Sequence, residues 1–308
     1  MRARRFGNGR SAACQAILTP MDGMDGALAL ALKVLLLIFM AGSLLEMGLG
    51  LSVTEALKGL RNPRFLAYGV LFAFILGPLV AWVLTRIIPL EEPYAAGLLL
   101  LAMAPCAPFL PMMVGRARGD IGYVPAMLLL SAVGTLILMP AGVPLLVPGL
   151  AVDAWTIARP LIVMVLLPLL AGLVLFRTAP GFAAAIRPRV KRVTGIAAIG
   201  LLALCVVMYG RGFASTFGSF AIGTQLLFLG LLTTAGYAFP RGLAQAQRSV
   251  LGLGLGTRNV GAAVAPLLAV ADIDQRAIVM VVLGVPLQLL CSLVAAAWFA
   301  RDAKRAEL

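Results

Sequence analysis

Ala104-Pro105-Cys106-Ala107-Pro108-Phe109-Leu110-Pro111 lies inside an apolar run, Tyr94–Val114, that is long enough to cross a bilayer. Three prolines in seven residues remove backbone donors and clash with the preceding turn, so a regular helix cannot pass through them. A second run, Ser249–Ala271, contains Gly252-Leu253-Gly254-Leu255-Gly256-Thr257-Arg258-Asn259-Val260-Gly261. Glycine at every second position weakens the helix, and Thr257 or Asn259 is a ready cap for a restarted half. Non-helical backbone at membrane depth is tolerated only where protein buries it or it lines a wet cavity. Interrupted segments in matching positions of two halves point to a transporter's binding site. Proline and glycine are common in membrane helices, so either break alone says less than the two together.

Around these two runs the chain reads as an all-α polytopic membrane protein of nine transmembrane helices. The segments are Leu28–Leu49, Phe65–Thr85, Tyr94–Val114, Ile121–Val147, Pro160–Phe176, Val193–Gly210, Phe213–Pro240, Ser249–Ala271 and Ala277–Ala300. Hydrophobic residues make up 62% of the 308 residues and charged residues 12%, with a mean hydropathy of +1.03. A soluble domain carries about twice that charged fraction, which excludes a soluble protein or soluble enzyme. Within the segments the charges are Lys33, Glu46 and Arg258. The connections are short and rich in Pro, Gly and charge, with no room for a soluble domain. Segments three and eight are an odd number of spans apart and run in opposite directions, which makes two to four and seven to nine candidate inverted repeats.

The net charge of +13 comes from Lys and Arg at segment ends, where lipid headgroups and cytoplasmic retention select them, and does not imply nucleic acid. The odd-numbered loops and the C-terminal tail hold fifteen basic residues, whereas the even-numbered loops hold one each. The positive-inside rule therefore puts the C-terminus in the cytoplasm and the N-terminus outside, in a bacterial inner (plasma) membrane. The tail 1–27 disagrees, with four arginines before Pro20. Three readings fit it: a start at Met21 or Met24, a transit-like peptide, or a basic tail translocated regardless. Cys14, Cys106, Cys205 and Cys291 have no pairing or metal spacing. No catalytic residue, metal site or cofactor is expected, and the glycine run lacks the spacing of a nucleotide loop. Nothing in the sequence sets an oligomeric state.

Arg258 is the sharpest single feature. A charge near mid-membrane costs on the order of 3 kcal/mol or more, so it must face protein or water and have a partner. If a helix restarts at Asn259, its positive end and the guanidinium together make an anion site. The other reading is a static ion pair with Glu46, the one carboxylate inside a segment, which is also a candidate proton site. The substrate-binding residues expected in the second break are Gly254, Gly256, Thr257, Arg258 and Asn259. Those expected in the first are Pro105, Cys106, Pro108 and Pro111.

These residues resemble the bile acid:sodium symporter superfamily over about Leu28 to Ala300. Glu46-Met-Gly-Leu-Gly-Leu-Ser52 is similar to the end of the family's first core-sequence helix. Ala104-Pro-Cys through Gly115-Arg-Ala-Arg-Gly-Asp120 resembles its first broken helix, and Gly256-Thr-Arg-Asn259 its second. The resemblance implies a core domain (about 65–147 and 213–300), a panel domain (about 28–49 and 160–210), a tail 301–308, and two crossing discontinuous helices holding the substrate site. Family substrates are mostly organic anions, so a small organic anion and membrane lipid are the implied partners. Where the family's sodium site has oxygen ligands, this chain reads Leu110, Pro111, Val124, Leu128, Gly254 and Arg258, implying sodium-independent transport. A related branch of arsenite efflux carriers uses a cysteine at the place of Cys106, which makes metalloid efflux an alternative. A membrane sensor or assembly subunit without transport is another.

Overall fold

In lipid every backbone N–H and C=O must find a partner within the chain, so runs this apolar become helices. The computed structural model describes residues 24–147, 154–216, 218–268 and 274–306, which are helical almost throughout. In chain order the helices are α1 (Met24–Gly48), α2 (Val53–Leu60), α3 (Pro63–Ile87), α4 (Glu92–Met103), α5 (Leu110–Arg116) and α6 (Val124–Leu146). They continue as α7 (Ile157–Thr178), α8 (Pro180–Ser215), α9 (Ala221–Ala238), α10 (Gln245–Gly256), α11 (Val260–Leu268) and α12 (Gln275–Ala306). Six of them, α1, α3, α6, α7, α9 and α12, are long and apolar enough to span a bilayer.

The third expected segment is the pair α4 and α5, and the eighth is the pair α10 and α11. The sixth lies within the 36-residue α8, several of whose side chains, Cys205 among them, fall outside the described residues. So do the N-terminal residues 1–23 that carry Cys14, and the side chain of Lys33.

Two boundaries are corrected. The connection 177–192 is helical from Pro180 onward. A proline opening a helix loses nothing by its missing N–H, and the Arg, Lys and Ala that follow are good helix formers. The seventh segment starts at Ala221 rather than Phe213. Gly210 and Gly212 each weaken α8 by only about 1 kcal/mol and do not stop it. α8 ends at Ser215, and Gly218 (φ 90°) and Phe220 (φ 61°) separate it from α9, because the left-handed region cannot propagate a right-handed helix.

Local chemistry fixes several helix ends. Asn62 Oδ1 accepts from the N–H groups of Arg64 and Phe65 at 3.2 Å each, with Pro63 as the first helical residue of α3. Ser52 caps α2 in the same way. The packing falls into two sets: α1 lies against α7 and α8, whereas α9, α10 and α12 pack together, with α4 against α12. At Gly48 and Gly172 the backbones of α1 and α7 touch: an added Cβ would come 2.4 Å from the Leu169 carbonyl oxygen or 2.6 Å from that of Leu45. Arg276, at the start of α12, reaches Glu91 at the start of α4 and also Asp274. The guanidinium beside Asp274 holds its carboxyl below the usual carboxylate range.

Candidate functional site

Each broken helix leaves carbonyls without N–H partners, and in lipid all of them need one. The chain pairs the two breaks with each other. Residues 104–107 and 257–259 run antiparallel, Pro105 opposite Arg258. Cys106 N–H donates to the Thr257 carbonyl and Asn259 N–H to that of Ala104, both at 2.8 Å. The Thr257 hydroxyl donates to Leu253 O at 2.8 Å and accepts from Ala107 N–H at 3.2 Å. The Thr135 hydroxyl of α6 reaches Met103 O at 3.4 Å. Cys106 takes a left-handed backbone (φ 69°) to make this exchange, a conformation an L-residue holds only when its surroundings impose it. Pro111 sits in the first turn of α5, and Asn259 Oδ1 accepts from Ala262 N–H at 3.1 Å, capping α11.

Arg258 is 1% exposed. Its guanidinium donates to Leu255 O at 2.7 Å and Ala102 O at 3.2 Å, which are C-terminal carbonyls of the two broken halves, and lies 4.8 Å over the Phe228 ring. Charge-assisted bonds at about 1.5–3 kcal/mol each, plus a desolvated cation–π contact of about 2, offset much of the burial, while the Nε–H is left without a partner among the described residues. Gln288 of α12 accepts from the Arg258 backbone N–H. An Arg258–Glu46 pair, one of the two readings the sequence leaves open, is not formed. Glu46, in the last turn of α1, meets Arg187 at 3.6 Å instead, and Arg258 pairs with no described carboxylate.

Beside the crossing lies a narrow crevice with a cavity volume of ≈ 10 Å³, about the room one water molecule needs. Its walls come from α1 (Leu44, Met47), α6 (Leu128, Ser131, Ala132, Thr135), α7 (Val165), and the crossing itself. The crossing contributes Pro105, Cys106, Pro108 and Asn259, four of the nine residues singled out in the sequence. The other five lie outside the lining. Gly254 and Gly256 are close-approach positions: an added Cβ would meet Met127 Cγ at 2.7 Å or Thr233 Oγ1 at 1.8 Å. Thr257 is fully buried within the pairing, and Pro111 serves α5. In an extended segment successive side chains face opposite ways, so Asn259 faces the crevice while Arg258 faces Phe228. Sequence reasoning missed Ser131, Thr135 and Gln288, lone polar residues in apolar helices with no local signal. Among the described residues no group of three or more His, Cys, Asp or Glu side chains could hold a metal ion.

Apolar spans with two helices interrupted face to face define a polytopic membrane protein of the discontinuous-helix type, the architecture in which secondary transporters build their sites. The chain belongs to the sodium bile acid symporter family, whose model matches residues 34–216. It is 28% identical over 246 residues to an Arabidopsis thaliana protein named probable sodium/metabolite cotransporter BASS1, chloroplastic, covering 71% of this chain and 58% of that one. It is 26% identical over 140 residues to an Oryza sativa subsp. japonica protein named probable sodium/metabolite cotransporter BASS2, chloroplastic, covering 45% of this chain and 33% of that one. The chain thus spans less than two thirds of the length of either relative. The family and these relatives are transporters and not enzymes.

Proposed function

We propose that the protein is a secondary carrier of a small organic anion, working by alternating access without sodium. In this reading nine spans form a panel of α1, α7 and α8 and a core of inverted repeats, and the crevice between them is the substrate site. The observation that carries it is the Arg258 guanidinium among the carbonyls of the crossing, with no carboxylate among the described residues to neutralise it. Half-helix C-termini and unwound carbonyls are the groups that hold coupling cations in such folds. Here a covalently attached cation takes them, and a second, mobile one would be repelled. The same charge favours an anion in the crevice. At an effective dielectric of about 20, opposite charges about 8 Å apart attract by about 2 kcal/mol. The capped N-terminus of α11 adds its positive end. The anion is held by this field and by Asn259, with Arg258 acting across the crossing.

The place of Cys106 in the crevice favours a second reading, metalloid efflux. Purified protein in proteoliposomes should take up small carboxylates or sulfonates at a rate unchanged when choline replaces sodium. A steep sodium requirement would overturn the coupling assignment. Arsenite flux that vanishes in Cys106→Ala, with no anion flux, would favour the second reading.

A further inference from the structure

The long helix α8 carries Arg187, Arg189, Lys191 and Arg192 within six residues, and the sequence holds no Asp or Glu between Asp153 and Asp272. Two stripes at helical spacing divide this stretch. On one, Ala183, Thr194 and Ala197 are buried and Arg187 lies in line with them. This stripe faces α1: an added Cβ on Gly42 would meet Thr194 Oγ1 at 2.4 Å, and one on Gly50 would meet Arg187 Cζ at 2.2 Å. The two helices are therefore antiparallel, with Arg187 turned inward to Glu46 where α1 ends. The opposite stripe is Phe182, Ala185, Arg189, Arg192, Ile196 and Ile199, exposed at every position. Arg189, Lys191 and Arg192 form no ion pair with a described residue. Positive-inside selection asks only for basic residues on one side of the membrane, not for two of them on the outward stripe. Ile196 and Ile199, 64% and 72% exposed, continue that stripe, and Ile196 stands about 6 Å along the axis from Arg192. The two guanidinium groups thus stand where lipid chains give way to headgroups, level with the end of α1.

We infer that Arg189 and Arg192 bind the phosphate of an anionic phospholipid whose acyl chains lie along Ile196 and Ile199. Side chains one turn apart start about 5–6 Å from each other, close enough for two long arginines to converge on one phosphate. Each guanidinium presents a planar fork that matches phosphate oxygens, and Lys191 beside them adds to the attraction for a negative headgroup. The exposed isoleucines distinguish a lipid from a free phosphate, because an inorganic ion gains nothing from them. A second copy of the chain fits less well. A two-fold contact through this stripe sets the same basic patch on both partners, and the stripe has no carboxylate to separate the like charges. The site lies away from the crossing of the interrupted helices and does not rest on the transport reading.

The test is thermal unfolding of the purified full-length chain in a neutral detergent, with dioleoylphosphatidylglycerol or dioleoylphosphatidylcholine added. The two lipids share their acyl chains and differ in net charge. Phosphatidylglycerol should raise the melting temperature by roughly 3 °C or more above phosphatidylcholine, through mass action on the folded state. The double variant Arg189→Gln, Arg192→Gln should lose most of that difference. Without lipid it should melt within about 1 °C of the wild type, because neither side chain has a partner in the protein. Each single variant should lose part of the difference. The double variant Lys304→Gln, Arg305→Gln removes the same charge from another exposed basic stretch and should keep the difference whole. Equal shifts from the two lipids in the wild type would overturn the site. So would an equal loss in the 304/305 variant, which would make the effect one of overall charge. Inorganic phosphate that reproduces the shift would replace the lipid by a free anion, and a dimer that disappears in the 189/192 variant, with no dependence on lipid, would assign the stripe to a second copy.

Discussion

A guanidinium in the middle of a bilayer must hand most of its protons to acceptors and have its charge stabilised. Arg258 gives protons to two carbonyls and lays its face on Phe228. Arg258→Ala removes donors from Ala102 O and Leu255 O and leaves a cavity, and should lower the melting temperature by roughly 5 °C. Guanidinium ion at low millimolar concentration should recover part of that loss in the variant and leave the wild type unchanged. Glu46→Gln touches only the half-exposed Arg187, so its effect should be small and should add to that of Arg258→Ala within about 0.5 kcal/mol in the double variant. A double variant that melts like the wild type would mean the two groups are coupled after all. The importance of Arg258 was readable from one charge in an apolar run. Its direction was not, because a one-residue change of register in an extended segment exchanges the faces of Arg258 and Asn259.

At the scale of helices, the contact between α1 and α7 depends on backbone meeting backbone. Gly48→Ala and Gly172→Ala each push a methyl group into a carbonyl that cannot turn aside, and should cost about 1–3 kcal/mol in thermal unfolding. Unchanged melting in both would mean the helices separate without penalty. Gly223 and Gly230 on α9, where an added Cβ meets nothing within 4 Å, are the controls. Both interruptions were legible, the first because Pro105 and Pro108 conflict with helix geometry, the second because glycines weaken a helix, although α10 carries Gly252, Gly254 and Gly256 and breaks only after them. The glycines had a second cause that no local pattern discloses. Gly256 makes room for Thr233 and Gly254 for Met127, both on other helices. The helical course of 180–192 was hidden for the opposite reason. Charge and proline suggest a loop, yet Pro180 begins a helix well and Pro188 is carried inside it.

For the whole molecule, the basic residues at 58–64, 116–118, 187–192, 241–248 and 301–305 should all lie on one side of the membrane. Reporter fusions after Arg192 and at the C-terminus should both report cytoplasm, and an outside signal from either would break the assignment. The pairing of the two interruptions also bears on how the chain is made. The hydrogen bond from Ala107 to Thr257 joins residues 150 apart in sequence. While the ribosome is still short of Thr257, the first break is already in the membrane with Ala104 O, Cys106 N–H and Ala107 N–H unmatched. Each such group costs several kcal/mol in hydrocarbon. The nascent protein must therefore keep its first four fifths beside the translocon, or in the care of an insertase, until the last fifth arrives to close the seam. A fragment ending at Pro240 should be a substrate for membrane proteolysis, and supplying residues 241–308 as a separate chain should rescue it.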